Sequence, residues 1–140
     1  DAQRRGVAEA DQSLDIDGFD AAVKVVAIAN VLMDADLRVA DVDVTGIRDL
    51  DADEVRAAAA AGTPIRLVAE AESRDGVVTG RVAPQRQLPG DPFAALDSMA
   101  LAIHLEGDLM PGITVIGHDL TPRQTAYGVL ADVISVLRGR

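Results

Sequence analysis

One stretch near the start constrains this chain more than any other. From Ala21 to Met33 it reads Ala-Ala-Val-Lys-Val-Val-Ala-Ile-Ala-Asn-Val-Leu-Met, apolar on every side of a helix except at Lys24 and Asn30. A helix that is apolar all round is a buried helix, so this segment is expected to form the core and to carry Lys24 inside with it. Directly before it, Glu9-Ala-Asp-Gln-Ser-Leu-Asp-Ile-Asp-Gly-Phe-Asp20 brings a series of carboxylates to the N-terminal end of that helix. The helix dipole favours negative charge there. Asp20 lies four residues before Lys24, which puts both side chains on one face with the acid N-terminal to the base. Such pairing would let an ammonium be buried.

Lys24 is the single lysine of the sequence; every other basic side chain is arginine. The chain uses Arg wherever a plain positive charge suffices. An amine differs from a guanidinium in that burial brings its pKa down far enough for it to exchange a proton. A buried Lys beside an Asp is therefore a candidate general acid/base. The plainer reading is an i to i+4 ion pair on a wet helix face, worth about a few tenths of a kcal/mol. The apolar flanks and the lone Lys weigh toward the first.

The segment from Ala8 to Val25 also resembles the substrate-binding signature of homoserine dehydrogenases, in which an acidic stretch, a Gly, an aromatic or apolar residue, an Asp and a Lys follow in this order. Glu9, Asp15, Gly18, Asp20 and Lys24 fall at the spacing of that signature. The resemblance implies that Glu9 and Asp15 help hold the amino and hydroxyl groups of the substrate, while Asp20 and Lys24 flank the carbon that exchanges hydride. Gln12 stands where the family usually has proline, a departure that touches the local turn. Toward the C-terminus the similarity continues more weakly. Gln124-Thr-Ala-Tyr-Gly-Val-Leu130 keeps a helix of the family type, but Gly117-His-Asp-Leu120 replaces most of the glycines of the preceding turn, which in the family approaches the cofactor.

The whole chain sets outer limits. Its 140 residues suit one domain with a real core. Hydrophobic residues make up 49%, yet no uninterrupted apolar run reaches the ~20 residues that a bilayer span requires, so the chain reads as soluble. A net charge of −10 works against nucleic acid and anionic membranes as partners. With no Cys there is no disulfide, thiolate metal site or cysteine nucleophile, and no metal site is expected. A reducing cytoplasm fits. Asp1 to Ala8 reads as the last turns of a helix capped by Gly6, without an export signal, which suggests a domain taken from something longer. No G-x-G-x-x-G follows a strand, so this chain names no cofactor-binding residue of its own.

In chain order, Asp41 to Ile47 alternates as a short half-buried strand. Asp51-Ala-Asp-Glu54 has capping-box spacing, followed by an Ala-rich helix to Ala61 that Gly62 and Pro64 stop; its Arg56 is given no role beyond solvation. Ile65 to Ser73 and Val77 to Arg86 are alternating strands around Asp75-Gly76, a strong hairpin signal. Leu88-Pro-Gly-Asp-Pro92 breaks regular structure before a brief helical turn at Phe93 to Leu96. Leu101 to Leu105 and Ile113 to Ile116 read as two more strands, with His104 a strand histidine rather than a catalytic one. His118 follows the last strand. Thr121-Pro-Arg-Gln124 then opens a helix by capping box, with Pro at its first position. Ala126, Val129, Leu130, Val133, Ile134 and Leu137 lie on one stripe of it, which predicts a packed amphipathic face.

These elements predict an α+β domain, with a mixed or mostly antiparallel sheet of about five strands and helices packed on one face. Residues 1–140 are expected to be the substrate-binding and catalytic domain of a protein like homoserine dehydrogenase. The resemblance further implies an NAD- or NADP-dependent enzyme interconverting L-homoserine and L-aspartate 4-semialdehyde, its cofactor bound mainly by an upstream domain, dimerising through this region. Catalytic Lys24 and Asp20, with Glu9 and Asp15 on the substrate, form the expected site. A module of the same fold that binds a ligand or dimerises without chemistry, and a dehydrogenase acting on a related amino acid, are the competing expectations.

Overall fold

The computed structural model describes residues 12–97, 100–118 and 121–139. The described chain divides into two compact units, one within Ala10–Ala94 and one within Ala95–Arg140. The helix expected to end at Gly6, together with Glu9, lies outside the described residues.

In the first unit a single helical turn, α1 (Ser13–Ile16), leads through Gly18 into α2 (Phe19–Leu32). Gly18 serves as the N-cap at φ +83°, a left-handed conformation that glycine adopts without strain. Along α2, Ala22, Val25 and Ala29 recur at helical spacing and are buried. They form the core with Leu37, Val42 and Val82. Ala21 and Val26 pack partly buried against that core, whereas Val23, Val31 and Leu32 are left exposed by the described residues. An apolar circumference therefore produced one buried stripe rather than a buried helix.

After α2 the chain is folded back by Asn30, the second polar residue of the apolar run. Its Nδ2 donates to the Leu37 carbonyl and its Oδ1 accepts from the Leu37 N–H, both at 2.9 Å. This two-sided grip sets Leu37 into the core. A 3₁₀ turn at Val39–Asp41 follows, and the strand expected over Asp41 to Ile47 shortens to β1 (Asp43–Val44). The chain then leaves the ladder to reach Ile16, whose carbonyl accepts from the Ile47 N–H at 2.8 Å. That contact ends the strand.

α3 (Ala52–Ala60) is capped by Asp51, whose carboxylate accepts from the Asp53 N–H at 2.9 Å. Gly62, at φ +73°, closes it. Arg56 pairs with Asp53 on the exposed side. β2 (Ile65–Arg74) and β3 (Val77–Arg86) form the expected antiparallel hairpin. Both turn residues, Asp75 at φ 52° and Gly76 at φ 78°, have the positive φ that a two-residue type I′ turn requires. β1 pairs in parallel with β3, giving the mixed order β1-β3-β2. Gly80 of β3 is needed for packing: a Cβ there would stand 2.9 Å from Leu37 Cδ2.

In the second unit, β4 (Leu101–Gly107) and β5 (Met110–Gly117) pair as an antiparallel hairpin, longer at both inner ends than the sequence suggested. α4 (Pro122–Leu137) starts as expected, with the Thr121 N–H donating to Gln124 Oε1 at 2.7 Å and Pro122 in its first turn. The α+β class and the five strands are as expected, the strands being divided between a three-stranded mixed sheet and a two-stranded antiparallel one. Two expectations are corrected. Phe93 to Leu96 makes a turn without helix. The apolar stripe of α4 is exposed rather than packed among the described residues, at Val129, Leu130, Val133, Ile134 and Leu137.

Replacing Asn30 by Ala removes both hydrogen bonds to Leu37 and leaves a partly buried N–H and C=O without partners. The expected cost is about 1–3 kcal/mol, read as a lower urea midpoint at unchanged m-value.

Candidate active site

The turn between α1 and α2 carries the residues singled out in the sequence, and among the described residues three contacts help hold it in place. The first is the hydrogen bond from the Ile47 N–H to the Ile16 carbonyl. The second is steric: a Cβ on Gly46 would overlap the Ile16 carbonyl oxygen and stand 2.7 Å from Asp17 Cα, so only glycine lets the two backbones touch. The third is an ion pair across 31 residues, Arg48 Nε to Asp17 Oδ1 at 2.8 Å and Arg48 Nη2 to Asp17 Oδ2 at 2.9 Å. Beneath the turn, Gly18 leaves room for Val44 and Val82, whose Cγ1 atoms would meet a Cβ at 3.0 and 3.3 Å.

From this base α2 projects Asp20 and Lys24. Lys24 Nζ donates to Asp20 Oδ2 at 2.6 Å, and the two side chains are 57% and 47% exposed. The expectation of a buried Lys24 is thus corrected. Asp20 and Lys24 lie off the stripe formed by Ala22, Val25 and Ala29, on a face the described residues leave open. The desolvation invoked from the sequence is not supplied by the described residues. What the structure does supply is a short ion pair with access from solvent.

Asp15 sits in α1, exposed, and its side chain has no hydrogen bond or ion pair among the described residues. The structure therefore brings Asp20 and Lys24 together and places Asp15 one turn upstream of the cap at Gly18. Glu9 is outside the described residues. A shallow apolar hollow beside the turn is lined by Asp17, Phe19, Ala22, Val39, Ala40 and Val44; Lys24 is not among them. Sequence reasoning missed Asp17 and Arg48. Asp17 was one acid among several, and Arg48 is too distant in sequence for any spacing rule to join them.

The two histidines differ. His104 is mostly buried, its Nδ1 2.8 Å from Thr114 Oγ1 and its Nε2 3.1 Å from Glu106 Oε1. Its ring fills the space over Gly112, where a Cβ would stand 2.8 Å from Nε2. It is a satisfied strand histidine. His118 is exposed, with Nδ1 3.1 Å from Asp97 Oδ2. Asp119 and Leu120 lie outside the described residues. Among the described residues no cluster of three His, Asp or Glu side chains could hold a metal ion.

Comparison with known proteins places this geometry. The family model for homoserine dehydrogenase matches residues 1–134. The chain belongs to the homoserine dehydrogenase family. It is 34% identical over 136 residues to an NAD(+)-dependent homoserine dehydrogenase of Pseudomonas canavaninivorans, covering 96% of this chain and 39% of that protein. It is 35% identical over 139 residues to a homoserine dehydrogenase of Sulfurisphaera tokodaii, covering 99% and 41%. Among solved structures, a homoserine dehydrogenase from Thiobacillus denitrificans superposes with a TM-score of 0.84 at 30% identity, over 98% of this chain and 32% of that one. One from S. aureus gives 0.83 at 28%, over 97% and 34%. The chain thus spans about two fifths of the length of these two curated relatives.

Because a methyl group on Gly46 must displace backbone, Gly46→Ala is expected to destabilise the protein by about 1–3 kcal/mol. Loss of the Ile47 to Ile16 hydrogen bond should appear as faster amide exchange at Ile47.

Proposed function

We propose that this chain is the substrate-binding and catalytic part of an NAD- or NADP-dependent homoserine dehydrogenase, interconverting L-homoserine and L-aspartate 4-semialdehyde. The observation that carries the reading is the solvent-accessible pair of Lys24 Nζ and Asp20 Oδ2 at 2.6 Å, in a chain of this family. Lys24 moves the proton on the oxygen of the reacting carbon. Asp20 orients its ammonium, and Asp15 and Glu9 hold the amino and hydroxyl groups of the substrate by charge-assisted hydrogen bonds. Openness to solvent suits a pair that a substrate, and further polypeptide, must cover before reaction.

The N-termini of α2 and α3 do not suit the diphosphate of a dinucleotide. The first turns of α2 and α3 carry Asp20 and Asp53 with Glu54, which repel an anion. NAD or NADP is accordingly assigned to a nucleotide-binding part of a longer enzyme, and residues 1–140 to its substrate domain.

Homodimerisation is part of the same reading. The hairpin of β4 and β5 exposes Leu101, Ile103, Leu105, Ile113 and Val115, and α4 exposes a further apolar stripe. Apolar surface of this extent calls for a covering partner. Neither nucleic acid nor a membrane is assigned as a partner, given the net charge of −10 and, among the described residues, no helix long and apolar enough to cross a bilayer. A cytoplasmic enzyme of threonine and methionine biosynthesis agrees with these features and with the lack of Cys.

The decisive experiment is steady-state kinetics on the full-length enzyme. Both Lys24→Ala and Lys24→Arg are expected to lose on the order of 10²-fold in kcat, with little change in melting temperature. Arg keeps the attraction to Asp20 but does not release its proton at working pH. Near-normal turnover in Lys24→Arg would leave Lys24 a charge partner only. Sedimentation of the same enzyme is expected to give a dimer mass, and a monomer across a wide concentration range would remove the dimer from the reading.

A further inference from the structure

We propose that Arg48 is a positioning residue for substrate binding, acting through Asp17 on the turn that separates Asp15 from Asp20. The inference rests on the proposed function and adds to it a residue outside the acidic stretch and α2. Arg48 grips both carboxylate oxygens of Asp17, at 2.8 and 2.9 Å, from the chain segment that follows β1. Two parallel N–H···O bonds fix orientation as well as distance, which a single contact does not. The grip falls on the residue directly before Gly18, the left-handed cap that sets the direction of α2 relative to α1. Rotation of that turn would change where Asp15 points relative to Asp20 and Lys24. The Ile47 to Ile16 hydrogen bond and the Gly46 contact hold the backbone against translation. Arg48 reaches a side chain of the turn from this segment with two bonds.

Asp17 and Arg48 are 51% and 56% exposed, and exposed pairs add little to stability. The pair also has an electrostatic consequence. With the Asp17 carboxylate held by Arg48, Asp15, whose side chain has no partner among the described residues, is left for a substrate ammonium. Asp15 meets the substrate before and during reaction alike, so loosening it weakens ground state and transition state together. That predicts a change in KM rather than in kcat.

The test uses the full-length enzyme with Arg48→Lys, Asp17→Asn and the double variant, assayed beside wild type and Lys24→Arg. Lysine keeps the charge but offers no planar fork. Each single variant is expected to raise KM for homoserine about five- to tenfold with kcat within about twofold. The melting temperature should be unchanged, and the double variant should be no worse than either single one. Unchanged KM in both single variants overturns the proposal, as does a fall in kcat that tracks a fall in melting temperature. If wild type itself does not turn over homoserine, the proposed function fails. The positioning role is then judged by amide exchange at Gly18 to Asp20, which must quicken in Arg48→Lys; unchanged exchange overturns it.

Discussion

Val82 is fully buried at the centre of β3, and the rest of the first unit is arranged around it. Its neighbours across the sheet are Ala69 on β2 and Val44 on β1, and its carbonyl accepts from the Thr45 N–H at 2.7 Å. Above it pass Gly18 and the buried stripe of α2. A β-branched residue with restricted χ1 fixes these surfaces at a definite separation. The cap of α2 is therefore seated on the middle strand of the sheet. The orientation of Asp20 and Lys24 is inherited from that seat.

The site built on this base separates rigidity from exposure. Gly46 permits a backbone contact that no other residue allows, Gly18 leaves room for the side chains of Val44 and Val82, and among the described residues the core beneath them contains no charged side chain. Asp15, Asp17, Asp20, Lys24 and Arg48 all lie on the outside. A polar constellation held from below by packing keeps its geometry without burying charge, whose desolvation would cost several kcal/mol per ion. The exposure of Lys24 is consistent with this division of labour.

The second unit follows a different rule. β4, β5 and α4 satisfy their backbone hydrogen bonds locally, by hairpin and helix, yet leave their apolar side chains uncovered. Local pattern specified these elements well, because turn and capping chemistry act over a few residues. It also predicted the wrong environment for the stripe of α4. An amphipathic face states that something apolar must cover a helix; it does not state what, nor whether the covering surface belongs to the same residues.

From the sequence alone came the α+β class, the hairpin at Asp75-Gly76, the caps at Asp51 and Thr121, the pairing of Asp20 with Lys24 and the family to which the chain belongs. Each depends on residues near one another in sequence or on a motif of fixed spacing. Tertiary structure alone decided that β1 is two residues long, that it runs parallel to β3, that Asn30 folds the chain back at Leu37, and that Arg48 reaches Asp17 across 31 residues. It also left Lys24 on a face that the described residues do not cover. Composition assigned that helix to the interior because nearly all of it is apolar, but a three-stranded sheet is wide enough to cover only the stripe of Ala22, Val25 and Ala29. The side of a helix that is buried is settled by the area of the surface it meets, and that area is not written in the helix itself.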